Sequence, residues 1–144
     1  MRILIIASDP ELGTQLNNMI APFKTAPNQS LTVVTVVEPS PVVDFTMSAS
    51  NCQTIFKRIL DERMQSARDN LRELKNCLEQ EQNIDVDTKA VMGFVVPVTV
   101  RAANDLHADL VLLEADCTST GDMKELLSKC PCSVVLIKPL KKTA

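Results

Sequence analysis

The sequence predicts an α/β protein built on one doubly wound, parallel β-sheet. Three observations carry this expectation. The runs RILIIAS (2–8), LTVVTVV (31–37), DLVLLEA (109–115) and SVVLIKP (133–139) are Val-, Ile- and Leu-rich without polar alternation, as in strands covered on both faces. Helical apolar patterns fall between the strand runs, the alternation that right-handed β-α-β crossovers produce. A chain of 144 residues, 45% hydrophobic and 23% charged, suits one domain, residues 1–144, around a single core.

The first strand, 2–8, runs into a helix start. Asp9 stands at the N-cap, Pro10 at the first helical position and Glu11 near the positive end of the dipole. Leu12, Leu16, Met19 and Ile20 form its apolar stripe, and Pro22 ends it or lies in its last turn. After the second strand, EPSPVVDFTMSAS (38–50) is too polar and Pro-rich for a strand and reads as a long loop. The second helix spans 51–81, because Leu60, Met64, Ala67, Leu71, Leu74 and Leu78 recur on one face.

DVDTKAV (85–91) is the most polar strand candidate, as expected of a sheet edge. The third helix follows Pro97, with Val98, Val100, Ala102 and Leu106 as its apolar positions. The fourth strand is followed by a short helix, 121–129, that packs through Met123, Leu126 and Leu127. The strand 133–139 completes a βαβαβαβαβ order. No internal repeat or second domain is visible.

Composition narrows the function. A net charge of −3 gives no basic footprint for nucleic acid, and the lack of Trp and Tyr removes stacking platforms for single strands. No apolar run is long enough for membrane insertion, and MRILIIASDP is too short for a signal-peptide core. Five cysteines without regular spacing fit a reducing compartment, so the expected location is cytoplasmic.

Cys117 follows the fourth strand whereas Cys130 and Cys132 precede the fifth, so the three thiols belong to opposite sheet edges. No metal site is expected from them, and Cys132 reads as packing. Cys77 neighbours the long helix's apolar stripe, and Cys117 is the candidate exposed thiol. The single histidine, His107, stands at the turn before the fourth strand, away from the ligand edge. A cation at a helix C-terminus explains it, and no catalytic residue is assigned.

A parallel sheet of this kind binds ligands at the carboxyl ends of its strands, at the switch point. Ser8, Asp9, Glu38, Gly93, Phe94, Glu114 and Asp116 are delivered there. In ADLVLLEADCTSTGD (108–122), acids occupy the place where glycines usually cradle phosphate. A triphosphate meets like charges there, each pair costing about 1 kcal/mol in water and more when desolvated. A divalent cation is the converse hypothesis, set against a plainer reading of the same acids as helix cap and solvated loop.

The segments RILIIASDPE, LTVVTVVEPSP, GFVVPVTVRAANDLHADLVLLEAD and CPCSVVLIKP, in this order, resemble the universal stress proteins along the whole chain. That resemblance implies a single-domain open five-stranded parallel sheet of order 3-2-1-4-5, Rossmann-like and of the adenine nucleotide alpha hydrolase type. It also implies a homodimer through the last strand, Ser133, Val134, Val135, Leu136, Ile137, Lys138 and Pro139.

Many members of the family bind ATP through a G-2x-G-9x-G-[ST] loop and a first-strand Asp. Carried over, the Asp falls on Ser8, or on Asp9 after a one-residue shift. The second-strand contact falls on Val36, the third-strand glycine on Gly93 and the first loop glycine on Glu114. The remaining glycines have no counterpart, so the chain resembles the subgroup without the motif.

The expected function is a non-enzymatic stress-response or regulatory homodimer with no cofactor and conventional ATP binding disfavoured. Two alternatives stay open. One is an ATP- or AMP-binding switch, or weak ATPase, with a rearranged loop. The other is a partner-binding module for a transporter or kinase, with loop 39–51 as its contact or as a lid.

Overall fold

The structure, a computed structural model, describes residues 1–8, 30–39, 49–81, 85–114 and 120–137. Along the chain these form β1 (Arg2–Ser8), β2 (Ser30–Val37), α1 (Ala49–Glu81), β3 (Val86–Met92), α2 (Val95–Asp105), β4 (Leu110–Glu114), α3 (Thr120–Lys129) and β5 (Ser133–Ile137). The strands make one five-stranded sheet of order β3-β2-β1-β4-β5, and every neighbouring pair is parallel. The expected helix from Asp9 to Pro22 and residues 40–48 of the expected loop lie outside the described residues.

The strands' two-residue period divides the core between two faces. Ile3, Ile5, Leu31, Val33 and Leu112 face α1, where they meet Leu71, Leu74 and Leu78. Leu4, Ile6, Val34, Val111 and Leu113 face the other way, toward Val95, Val96, Ala103 and Leu126 of α2 and α3. Burying each of these aliphatic side chains contributes about 1.5–3 kcal/mol, which is why runs without polar alternation sit in the sheet centre. On α1 the expected face is the buried one, with Leu60, Ala67, Leu71, Leu74 and Leu78 buried and Met64 half-buried.

α2 corrects the sequence-based expectation. It begins at Val95, before Pro97, because the first turn's N–H groups have no partner in the helix and a proline there costs no bond. Its buried residues are Val95, Val96, Thr99 and Ala103. Val98, Val100 and Ala102 are only half-buried and Leu106 is exposed, since they lie round the helix from that stripe.

α2 ends in a Schellman turn. Ala108 N–H donates to the Ala103 carbonyl at 3.0 Å and His107 N–H to the Asn104 carbonyl at 3.3 Å. His107 takes the left-handed position, φ 51°, that glycine usually fills. The next turn fixes the amino edge of β1 against β4. Arg2 N–H donates to Asp109 Oδ2 at 2.8 Å, and Asp109 N–H donates to the Arg2 carbonyl at 2.8 Å.

Candidate functional site at the carboxyl edge of the sheet

β1 is the central strand, paired with β2 on one side and β4 on the other, so the switch point lies between β1 and β4. The register levels the expected site residues at one edge. Ser8 is opposite Val36, Val36 is opposite Val91, and Glu114 is opposite Ile137. Val36 is buried in the core on the α2 side. Asp9 and Asp116 lie outside the described residues.

Gly93 makes the sharp turn from β3 into α2. Its N–H donates to the Val37 carbonyl at 3.0 Å and its φ is +154°. An added Cβ would stand 2.8 Å from Val98 Cγ2, so only glycine lets α2 start this close to the strand. Phe94 follows as the N-cap, with an extended backbone and no side-chain capping bond.

The missing cap is supplied by the residue that follows β2. Val95 N–H donates to Glu38 Oε1 at 3.4 Å. Arg63 of α1 reaches the same place, its Nη1 donating to the Glu38 carbonyl at 2.7 Å. The sequence places Glu38 among the acids delivered to the crevice. In the structure its carboxylate serves a helix N-terminus, where a negative charge is stabilised by about 0.3–1 kcal/mol. A guanidinium comes in from a helix. The signal for Arg63 was faint, since its partner is a backbone carbonyl remote in sequence.

The phosphate-loop position is short. β4 ends at Glu114 and α3 starts at Thr120, so only Ala115, Asp116, Cys117, Thr118 and Ser119 intervene, none of them glycine. Gly121 is already inside α3, and Asp122 stands in that helix's first turn. Thus both α2 and α3 carry an acid of this chain at the end that attracts anions.

Cys130 and Cys132 are half-buried against the core beneath α3. Burial, then the neighbouring thiol, pushes the Cys130 thiol above its ordinary range. Burial also raises that of Cys132, partly offset by a hydrogen bond with Cys130. Such thiols stay protonated and are poor nucleophiles. Cys77 is half-buried, and Cys117 lies outside the described residues. Among the described residues no three His, Cys, Asp or Glu side chains come together as metal ligands, and no helix is long and apolar enough to cross a membrane.

No protein-family model matches the chain, and neither does any curated protein. Solved structures do. Universal stress protein UspA from Lactobacillus plantarum superposes with a TM-score of 0.74 at 16% identity, over 95% of this chain and 97% of that one. A universal stress protein family protein from Arabidopsis thaliana, solved with AMP bound, gives 0.68 at 11% identity, over 100% and 95%. The universal stress protein from Archaeoglobus fulgidus, in complex with dAMP, gives 0.62 at 13%, over 96% and 98%. With a five-stranded parallel sheet in the order that the sequence resemblance implied, the chain has the universal stress protein fold.

Proposed function

We propose that this chain is a non-enzymatic regulatory protein of the universal stress type, acting as a homodimer and not binding ATP in the conventional way. The observation that carries this is the glycine-free link between β4 and α3 at the phosphate position. With no glycine there, the backbone is denied the close approach a triphosphate needs. Glu38 and Asp122 at the adjoining helix starts add like charge. The dimer is supported by β5, an edge strand whose Val135 is 43% exposed. Unpaired strand edges are sticky, and pairing with a second copy covers them. Lys138 and Pro139 of the expected interface lie outside the described residues.

A second reading is a mononucleotide-binding switch. Relatives of the fold were solved with AMP and dAMP bound, and one phosphate meets less of this edge's negative charge than three. A native mass spectrum tests both readings together with the oligomer. A dimer without added mass supports the leading reading. A retained AMP-sized mass moves the assignment to the switch, and a retained ATP-sized mass overturns the leading one.

A further inference from the structure

Met92, Phe94 and Leu106 are exposed large apolar residues that line one groove of about 580 Å³ between β3 and α2. It exists because α2 buries Val95, Val96, Thr99 and Ala103 over the sheet centre and leaves the same face of the edge strand open. Val34 and Val91 form its floor, and Pro97, Val98 and Ala102 its helical wall. The groove runs beside β3, on the far side of β2 from the β1–β4 switch point.

Its charges are not evenly placed. Lys89 lies three residues before Met92, about 10 Å down the strand at 3.3 Å per residue. Arg101 lies six residues after Val95, about 9 Å back along the antiparallel helix at 1.5 Å per residue. Both line the groove, Lys89 on its strand wall and Arg101 on its helical wall. Lys89 is exposed and has no ion-pair or hydrogen-bond partner among the described residues. Among the described residues Arg101 holds a loose contact with Asp105, at 3.9 Å and with both side chains largely exposed. Such a contact is worth little and yields readily to a better anion. Asp105, the lining acid, is a further turn along the helix, and Asp87 belongs to the adjoining recess near the amino edge.

We propose that the groove between β3 and α2 binds a small amphipathic carboxylate, its anionic group held between Lys89 and Arg101 and its apolar body laid over Val91, Val98 and Phe94. The volume falls within the range of small-molecule sites, and an apolar trough with a few polar groups to fix orientation is their usual make-up. The groove shares Gly93 and Phe94 with the carboxyl edge, but its cationic end at Lys89 and Arg101 lies down the strand from that edge.

The test is calorimetric titration with dodecanoate, dodecanol and dodecyltrimethylammonium, each below its micelle concentration. The expected result is one dodecanoate per chain, bound at least tenfold more tightly than the cation. Lys89→Glu with Arg101→Glu reduces dodecanoate affinity at least tenfold and changes dodecanol binding less than threefold. Both residues are exposed, so this variant keeps its thermal midpoint. Ala102→Phe fills the groove and weakens dodecanoate and dodecanol alike. No dodecanoate binding, several equivalents per chain, equal affinity for all three amphiphiles, or a double variant that binds like the parent overturns the site.

Discussion

The amide of Val95 donates to the carboxylate of Glu38 across 3.4 Å, so the residue just after β2 caps a helix that begins 57 positions later. The bond is long and the capped amide only part-buried, so its contribution is modest. Glu38→Ala should lower stability by about 1 kcal/mol, the usual cost of losing a cap. Glu38→Gln keeps an acceptor but removes the charge–dipole part, so it should cost about half as much and lose its effect at high salt. Urea denaturation of the two variants at low and high salt reads this directly. Equal stability of Glu38→Ala and the parent would mean that the cap contributes nothing.

Gly93 is held by two separable constraints. Its φ of +154° is one that residues with a Cβ rarely adopt, and its missing Cβ makes room for Val98. Gly93→Ala should therefore cost about 2–4 kcal/mol, combining backbone strain of 1–3 kcal/mol with overpacking. In a double-mutant cycle Val98→Ala should recover the overpacking part and leave the strain. Additive single and double variants in chemical denaturation would show that the contact with Val98 carries no energy.

His107 offers the opposite case. It occupies the left-handed residue of the Schellman turn, φ 51°, where a side chain costs about 1–2 kcal/mol relative to glycine. The residue is exposed and no packing is lost on truncation. His107→Gly should raise the thermal midpoint by about 2–4 °C for a domain of this size. A midpoint that falls would show that the imidazole has a structural role the turn does not explain.

The half-buried thiols set an alkaline limit. Burial holds Cys130 and Cys132 above the ordinary thiol range in the fold, so the unfolded chain loses these protons first. Their contribution is complete below the ordinary thiol range and is lost as pH rises through the raised folded values. Cys130→Ala with Cys132→Ala should flatten the loss of stability above that range, relative to the parent. Parallel pH–stability curves for the two proteins would remove the thiols from the account.

These residues also mark how far the sequence could be read. The sheet centre and α1 were legible because apolar periodicity is a local signal. Leu60 to Leu78 repeat at helical spacing whatever else the chain does, and Val, Ile and Leu runs without polar alternation require cover on both faces. The family resemblance then supplied the strand order. α2 was misread because its buried stripe contains Thr99 and Ala103, which carry little hydrophobic signal, and because Pro97 looked like a boundary. At the edge of the sheet, strand ends fixed which residues arrive but not what they do. Glu38 looks like a ligand-facing acid until the start of α2 is placed against it, and Arg63 like any helix cation. Both roles depend on contacts between remote segments, and no periodicity encodes those.

The β5 edge yields the last test. Ser133 and Val135 are exposed while Val134, Leu136 and Ile137 are half-buried, so the strand is neither fully covered nor heavily charged along its length. Natural edges of that kind are either paired or guarded by charge. Val135→Lys places a guard on an exposed position without touching the buried face. It should weaken self-association at least tenfold in sedimentation equilibrium while leaving the thermal midpoint of the dilute protein within a few degrees. Parent protein that sediments only as the 15.8 kDa species at high concentration would rule out the dimer. A dimer that survives Val135→Lys unchanged would move the interface to another surface.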